Sequence, residues 1–368
     1  MAARALRKII RNLIIVINSV VALLFLVGCL VPYLNPATWW FMGFFGLMLP
    51  YLAIILLFFI FFWLVVRPKY FWIPLVTLLI GYKQLSVLFA VNKHETFSDK
   101  KDSARIRVIN WNIRSLEGLS NKADIKKIDR ATIPSVIIDQ NADIVCLQEF
   151  NTSSIQDNIA PIAAKFPYYF FSKDFTRSSP QGYKAGSIIF SKYPIVDSGK
   201  VRYPGEQGES LIYADVLKAG KILRVFTTHL QSFRFKREDY EGMKKVAKNE
   251  DPAASKTIFQ KMKTAFTIRG EQARIVRDAL DNSPHPSIIT GDFNDVPNSY
   301  TYFHIRGDWQ DVFLASSLGI GRTYLALAPT LRIDYILPDK NFNIHQFDMM
   351  DEGLSDHLML VTDVSLKQ

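Results

Sequence analysis

Acidic residues are absent from the first 92 positions of this 368-residue chain, which hold seven Lys or Arg residues and no Asp or Glu. The formal net charge of the whole chain is +10, but only 37 basic and 34 acidic residues follow position 92. The positive charge therefore belongs mainly to the N-terminal part. It gives little support for a nucleic-acid-binding surface on the rest of the chain, because such a surface needs a local basic excess.

Cysteine is also scarce. Cys29 lies in an apolar run, and Cys146 lies in "ADIVCLQEF", which has the pattern of a buried strand. Two cysteines in different regions predict no disulfide framework, and the sequence has no cysteine-rich set for structural zinc. It also has no glycine-rich phosphate loop of the GxxxxGK[ST] type, which excludes that kind of phosphate site.

Long apolar runs are abundant at the N-terminus. Three mostly apolar stretches cover residues 13–34, 40–66 and 70–91. The first two are long enough to cross the hydrocarbon core of a bilayer, about 30 Å thick, as helices. The third contains Lys83 and Gln84, so it is the weaker candidate. We therefore expect residues 1–91 to form a membrane anchor with two to three transmembrane helices.

Basic residues in short flanks predict the orientation of such helices, because they stay on the cytoplasmic side. The N-terminal "MAARALRKIIR" and the link "RPK" at 67–69 are basic, whereas "VPYLNPATWW" between them is uncharged. Three crossings would place everything after about Asn92 on the outer face, which is the arrangement we favour. If the third stretch only lies in the interface, the rest of the chain is cytoplasmic. The polar segment 92–104 is expected to be a linker.

From position 105 onward, several strand-like runs end in clusters of polar side chains. These runs are "IRVINWNIRS", "ADIVCLQEF", "ILRVFTTHLQS", "SIITGDFND", "LRIDYIL" and "LSDHLMLV". Segments with a helical pattern, such as 123–141 and 264–281, lie between them. Strands mixed with helices predict one α/β domain over residues 105–368, with strand ends that meet at a cleft.

Each polar cluster has a structural explanation when taken alone. Asp292 and Asn294 could form a turn, and Glu149 could be a solvated strand end. Six clusters of one chemical type, each where an apolar run stops, indicate a shared site instead. Their carboxylates and carboxamides are hard oxygen ligands that suit Mg²⁺ or Mn²⁺, with phosphate supplying further ligands. His229 and His357 could move protons or pair with phosphate.

In order, "NWNIRS", "CLQEF", "THLQS", "GDFND", "RIDYIL" and "SDHLML" resemble the motif series of the endonuclease/exonuclease/phosphatase superfamily. Its members include DNase-I-like nucleases, abasic-site endonucleases, neutral sphingomyelinases and inositol polyphosphate 5-phosphatases. The resemblance covers residues 105–364. It implies a four-layer α/β sandwich of two mixed β-sheets flanked by helices, and hydrolysis of a phosphoester by in-line attack of water.

The resemblance also implies roles for individual residues. Glu149 should bind the divalent metal, Mg²⁺ or Mn²⁺, with Asn112 beside it. Asp356 should complete the network around the metal or the water. Asp292 should orient or deprotonate the attacking water, and Asn294 should bind the scissile phosphate.

The two histidines complete the set that the resemblance implies. His229 should contact a phosphate oxygen or assist the leaving group, and Asp334 should hold His357 and favour its charged form. Two positions depart from the abasic-site endonucleases, which carry Asp in place of Arg114 and Tyr in place of His229. Both departures, together with the anchor, weaken a role in DNA repair.

The predicted partners are the lipid bilayer and a phosphoester substrate, with no protein partner. We favour a nuclease-type phosphodiesterase, and a phospholipid or a phosphorylated small molecule is the alternative substrate, because an anchor brings the site close to lipid headgroups. A catalytically inactive binding or scaffold module is an alternative of another class, but it would not need the full residue set.

The charged segment 233–264 is expected to be a solvated helical excursion, or else a cover over the substrate that bears Arg234, Lys236 and Arg237.

Overall fold

The computed structural model describes residues 2–92, 96–119, 122–177, 181–205, 209–246 and 252–367. Positions 93–95 of the expected linker and 247–251 of the charged segment therefore lie outside the described residues. The α-helices are α1 Ala2–Gly28, α2 Met42–Val66, α3 Trp72–Ile80, α4 Tyr82–Leu85, α5 Ala123–Asp139, α6 Ala160–Ala163, α7 Arg237–Val246, α8 Pro252–Asp281, α9 Tyr300–Arg306 and α10 Val312–Ser316. The β-strands are β1 Ala90–Val91, β2 Ile106–Asn112, β3 Ile144–Thr152, β4 Tyr168–Phe171, β5 Phe175–Thr176, β6 Lys184–Ser191, β7 Ile195–Val201, β8 Leu211–Lys218, β9 Lys221–His229, β10 Ser287–Asp292, β11 Leu318–Gly319, β12 Asp334–Pro338, β13 Phe342–Met350 and β14 Met359–Leu366.

The longer strands form two mixed sheets. The first has the order β13-β14-β2-β3-β6-β4, with β5 beside β6, and the second has the order β12-β10-β9-β8-β7. β2 and β3 run parallel, as do β9 and β10, whereas the other neighbours are antiparallel. A buried apolar layer that includes Val108, Ile144, Val225 and Ile288 joins the two sheets face to face.

Helices cover the outer faces of both sheets. Successive residues of a strand point to opposite faces. Ile109, next to the inward-facing Val108, therefore packs in an outer layer with Ile133 of α5. On the second sheet, Ile289 packs in the same way with Val276 of α8. The order helix, sheet, sheet, helix confirms the four-layer α/β sandwich that the sequence predicted.

The N-terminal helices form a separate apolar bundle. The segments Arg4–Tyr33 and Met42–Val66 are each long and apolar enough to cross a membrane. They pack with α3 around a small apolar core. Many of their other apolar side chains are exposed, including Ile9, Leu13, Val20, Ile54, Leu57, Phe58, Phe61 and Leu79. A continuous apolar surface of this kind suits lipid better than water.

The two ends of the bundle differ in their surroundings. Near one end, Gln84 donates a hydrogen bond to the carbonyl oxygen of Cys29 at 2.8 Å, and Asn298 of the sandwich donates to that of Gln84 at 2.9 Å. At the other end the ring of Trp63 lies 5.1 Å from that of Tyr70. The start of α1 and the turn between α2 and α3 thus lie at the end that points away from the sandwich.

The third apolar stretch is not one long helix. It contains α3, then α4 after a break at Gly81, then β1, which pairs with β11. At 1.5 Å per residue α3 is about 14 Å long, and α3 with Gly81 and α4 reaches about 21 Å, which is shorter than the ~30 Å hydrocarbon core of a bilayer. Beyond them, Val87 and Ala90 are buried in apolar layers of the sandwich. The last residues of this stretch therefore belong to the packing of the sandwich.

Gly291 has a backbone that no other residue could adopt without disturbance. Its φ is +146°, and a Cβ atom would lie 2.1 Å from the carbonyl oxygen of Thr228 on the neighbouring strand β9. The added Cβ atom would clash with the backbone of Thr228, which cannot rotate away as a side chain could. Glycine here lets β9 and β10 approach closely, immediately before Asp292.

We expect Gly291→Ala to lower the free energy of unfolding by about 3 kcal/mol or more, because a steric clash is added to an unfavourable φ. Gly220→Ala is the matched control, since Gly220 has a φ of +76° but no atom within 4 Å of a Cβ. It should cost only about 1 kcal/mol. Urea unfolding of both variants makes the comparison, and equal losses would contradict the clash.

Candidate active site

The ends of several strands meet at one edge of the sandwich. Asn112 at the end of β2 lies opposite Gln148 of β3 in the first sheet. In the second sheet, β10 lies between β9 and β12, so Asp292 has His229 on one side and Asp334 on the other. The polar clusters that follow the apolar runs in the sequence are therefore neighbours in space.

A β-bulge turns Glu149 toward this edge. The pairing of β3 with β6 shifts register between Leu147 and Phe150, and Glu149 has a φ of +54°. Its neighbour Gln148 is buried and donates hydrogen bonds to Asn110 and Thr227. Bulges commonly redirect a side chain next to active sites. Here the bulge leaves the Glu149 carboxylate partly open to solvent.

The amide of Asn112 joins two carboxylates. Its Nδ2 donates to Oε1 of Glu149 at 3.2 Å and to Oδ2 of Asp292 at 3.0 Å. A donor that lies between two carboxylates occupies the kind of place that suits a hard divalent cation. Burial, and then the neighbouring charge of Asp334, raise the pKa of Asp292 to about 6. The two carboxylates thus suit a magnesium-type ion, although in this structure Nδ2 of Asn112, and not its oxygen, faces them.

Asp334 and His357 form the expected pair. Nδ1 of His357 lies 3.1 and 3.0 Å from the two carboxylate oxygens of Asp334. Its Nε2 lies 3.8 Å from Oδ2 of Asp292. Burial disfavours the charged imidazole, but the two carboxylates outweigh that effect and raise the pKa of His357 to about 10. His357 is therefore a cation between two buried anions.

Asp292, Asp334 and His357 also offer three potential ligand atoms within 4.8 Å of one another. A protonated imidazole cannot bind a metal ion, and Nδ1 of His357 is already directed at Asp334. We therefore interpret these three residues as a charge-balanced group. The pair Glu149 and Asp292 remains the better place for a cation.

His229 has a partner of its own that the sequence did not reveal. Its Nδ1 lies 2.8 Å from Oε1 of Glu209, and its Nε2 lies 3.6 Å from Oδ2 of Asp292. The other carboxylate oxygen of Glu209 accepts a hydrogen bond from Ser187 at 3.0 Å. Burial opposes the charged ring, but Glu209 and then Asp292 prevail and raise the pKa of His229 to about 10.

Asn294 and Asp356 stand at the border of the group. The backbone N–H of Asn294 donates to Oδ1 of Asp292 at 2.8 Å, and its side-chain amide donates to the carbonyl oxygen of Leu230 at 3.0 Å. Oδ2 of Asp356 lies 3.7 Å from Nε of Arg114. Asp356 is thus paired with an arginine, and the side chain of Asp356 is about one quarter exposed.

A cleft of about 760 Å³ opens over these residues. The predicted site residues that line it are Glu149, His229, Asp292, Asn294, Asp356 and His357. Asn112 and Asp334 are almost fully buried and contact the lining residues from behind. All eight predicted site residues therefore belong to one connected arrangement.

Comparison with known families identifies the family to which this fold belongs. A model of the endonuclease/exonuclease/phosphatase family matches residues 109–357, about two thirds of the chain. The chain belongs to this family. A domain of unknown function (DUF8431) matches residues 11–88, which form most of the helical bundle. No curated protein matches the sequence.

Solved structures that are similar to this chain have low sequence identity to it. An endonuclease/exonuclease/phosphatase from Beutenbergia cavernae DSM 12333 is 22% identical over 72% of this chain and 72% of its own, with a TM-score of 0.51. The human Nocturnin catalytic domain is 19% identical over 72% and 94%, with a TM-score of 0.49. Humanized D. rerio TDP2 is 20% identical over 72% and 100%, with a TM-score of 0.49.

Membership of the family shows that the chain has a phosphoesterase fold, but it does not identify the substrate.

Glu209 is the site residue that the sequence analysis missed. It lies in a loop before β8, so it does not follow the pattern of polar residues after an apolar run. Arg114, which departs from the abasic-site endonucleases of the family, lines the cleft and contacts Asp356.

We expect Asp334→Asn to lower turnover about a hundredfold or more while the fold survives, because the change removes the charge and keeps the shape. The pKa of His357 should fall in the metal-free protein, since its anionic partner is lost. Nuclear magnetic resonance titration of the ring and a phosphodiesterase assay measure the two effects.

The variant His357→Ala and the double variant serve as controls. If the two residues act as one unit, the double variant should lose little more turnover than the worse single variant. Additive losses, or near-normal turnover in well-folded Asp334→Asn, would instead make Asp334 a structural strand residue.

Proposed function

We propose that this protein is a membrane-anchored phosphoester hydrolase that depends on Mg²⁺ or Mn²⁺. We assign residues 1–91 to the anchor, although Val87 and Ala90 near its end pack in the sandwich, and residues 105–368 to the catalytic domain. The observation that carries the proposal is the pair of carboxylates, Glu149 and Asp292, bridged by the amide of Asn112 and accompanied by two histidines of raised pKa. The family fold supplies the class of reaction.

Glu149 is the proposed principal ligand, because its carboxylate is exposed to the cleft and flanked by oxygen ligands. Asn112 and Asp356 would complete the network around the ion. When bound, a divalent cation would neutralise charge on the phosphate oxygens.

The protein residues have separable tasks. Asp292, whose pKa burial raises to about 6 in the absence of metal, is proposed to orient the attacking water or to accept its proton. Asn294 is proposed to hold the scissile phosphate. His229 and His357, both kept positive by carboxylates, would stabilise the additional negative charge on the phosphate oxygens in the transition state.

The substrate class is a second part of the proposal. From the sequence we favour a nuclease-type phosphodiesterase, with phospholipid or a phosphorylated small molecule as the alternative. Arg114 and Arg234 line the cleft and could contact either kind of phosphoester. A panel of plasmid DNA, RNA, sphingomyelin, inositol phosphates and a generic phosphodiester distinguishes these possibilities.

We also propose that the catalytic domain lies on the outer face of the membrane. The basic residues Arg4, Arg7, Lys8, Arg11, Arg67 and Lys69 all belong to the end of the helical bundle that points away from the sandwich. Positive flanks remain in the cytoplasm. The sandwich, at the opposite end, would then be outside, with α3 and α4 together making the third crossing.

Activity should disappear in EDTA and return with Mg²⁺ or Mn²⁺, because the site offers hard oxygen ligands. Glu149→Gln should shift the activating metal concentration upward, by at least about tenfold, since one anionic ligand is lost. Turnover of a soluble phosphodiester against metal concentration measures both effects.

Two other results would be decisive in that assay. Full activity in EDTA would show that the reaction does not need a divalent metal ion. No turnover of any phosphoester by the well-folded protein with metal would favour the inactive binding or scaffold module.

A reporter fused after Gln368 tests the orientation. Alkaline phosphatase, which is active only outside the cytoplasm, should be active at that position, and green fluorescent protein, which fluoresces in the cytoplasm, should not. The reverse pattern would place the catalytic domain in the cytoplasm and abolish the third crossing.

A further inference from the structure

Helix α8 of the sandwich lies across the end of the helical bundle. Asn35, in the segment between α1 and α2, donates a hydrogen bond to the carbonyl oxygen of Gly270 at 3.5 Å. Eleven residues earlier in α8, the ring of Phe259 stacks on that of Phe44 in the first turn of α2, with 5.3 Å between the ring centres. Both contacts are made at the end of the bundle that faces the sandwich, so α8 runs along that end.

The contacts with the bundle come from one face of α8. Phe259, Lys263 and Phe266 follow one another at spacings of four and three residues, which places them on one stripe of a helix. The ammonium group of Lys263 lies 4.7 Å from the centre of the Trp40 ring. The ring of Phe266 occupies the space beside Gly43, where it would clash with an added Cβ atom. This stripe is therefore the face of α8 that is turned toward the bundle.

The stripe continues toward the start of α8. Lys256 precedes Phe259 by three residues and is exposed, and Phe259 is itself 40% exposed although it stacks on α2. Seven residues of α8 precede Phe259, which is about 10 Å of helix. Helix α7 packs on another face, where a Cβ atom on Gly242 would lie 3.1 Å from Cβ of Ala254. The start of the stripe is therefore open beside the bundle.

Aromatic side chains gather at this end of the bundle. Trp39 is 46% exposed and Phe41 is 38% exposed. Trp40 packs edge-on against Phe259, with 5.4 Å between the ring centres. Aromatic rings that lie where apolar helices meet a polar domain are typical of the boundary between membrane and water. Phe259 is thus a residue of the sandwich that joins an aromatic group of the bundle.

The charge of this region favours an anionic partner. Segment 233–264, which includes the first part of α8, contains nine Lys or Arg residues and five Asp or Glu residues. Lys256 and Lys263 lie on the stripe itself. A lysine near an anionic membrane surface contributes about 1 kcal/mol to binding, and its long side chain can reach the headgroups while its stem packs on apolar neighbours.

We propose that the face of α8 that bears Lys256, Phe259 and Lys263 rests on the headgroup layer of a membrane that contains anionic phospholipids. This inference rests on the proposed anchor, because the bundle places this face beside the bilayer. Phe259 would enter the boundary between headgroups and acyl chains, and the two ammonium groups would pair with lipid phosphates. The lipid is here a docking surface outside the catalytic cleft.

A fluorescent label at position 256 tests where the helix lies. The full chain carries Lys256→Cys, and labelling is selective because Cys29 and Cys146 are buried. In vesicles of phosphatidylcholine and phosphatidylglycerol with a nitroxide on the headgroups, the label should lose at least about half of its fluorescence, since an interfacial helix lies within that layer. Lys221→Cys is the matched control, because Lys221 is exposed at the start of β9, about 26 Å from the strand end at His229. Its label should keep its fluorescence.

A label at Gln260→Cys, which keeps both lysines, tests the choice of lipid. Gln260 is exposed next to Phe259. Its quenching should be at least about twofold greater in vesicles with phosphatidylglycerol than in phosphatidylcholine alone, because cationic side chains draw the helix onto an anionic surface. Lys256→Gln combined with Lys263→Gln should remove this difference, and Lys221→Gln should preserve it.

The contrary outcomes are separable from failure of the anchor. Leu57→Cys, at an exposed position of α2, reports insertion of the bundle through quenching by lipids labelled in the acyl chains. Quenching at position 57 with equal fluorescence at positions 256 and 221 would overturn the inference and leave the anchor in place. Equal quenching at position 260 in neutral and anionic vesicles would overturn the choice of an anionic partner. No quenching at position 57 would remove the anchor, and this inference with it.

Discussion

The site depends on keeping buried carboxylates charged where the two sheets meet. Asp292 and Asp334 are almost completely buried, and an isolated carboxylate in such a place would take up a proton. The ring of His357, the side-chain amide of Asn112 and the backbone N–H of Asn294 donate hydrogen bonds to these carboxylates, and the charged ring of His229 lies 3.6 Å from Asp292. Glycine at position 291 lets β9 and β10 approach closely, immediately before the neighbouring pair His229 and Asp292.

Much of this arrangement follows from the sequence, for a physical reason. An apolar run that stops at a polar pair indicates where a buried strand leaves the core, and this located Asp292, His229 and Asn112. The partner of His229 could not be found in that way, because Glu209 lies in a loop whose approach depends on tertiary packing. The bulge at Glu149 was equally hidden, since β3 is buried on both faces and its sequence has no regular alternation that a register shift could interrupt.

The N-terminal bundle shows the opposite balance. Composition predicted its apolar helices, because every long apolar run has to be covered by protein or lipid. It did not predict that the third stretch would break at Gly81 and end as a strand paired with β11. Hydropathy measures how apolar a segment is and carries no information about what it touches. Val87 and Ala90 are as apolar as their neighbours in the bundle, but they pack in the sandwich.

The pairing of β1 with β11 has a mechanical consequence. Arg332 adds a hydrogen bond of 2.8 Å to the carbonyl oxygen of Val87, so that chain segment is fastened at two points to the catalytic domain. These contacts hold the catalytic domain in one position relative to the bundle. With the bundle in a membrane, as we propose, the catalytic residues would keep one height above the bilayer, and phosphates would be selected by their distance from it before any chemical recognition.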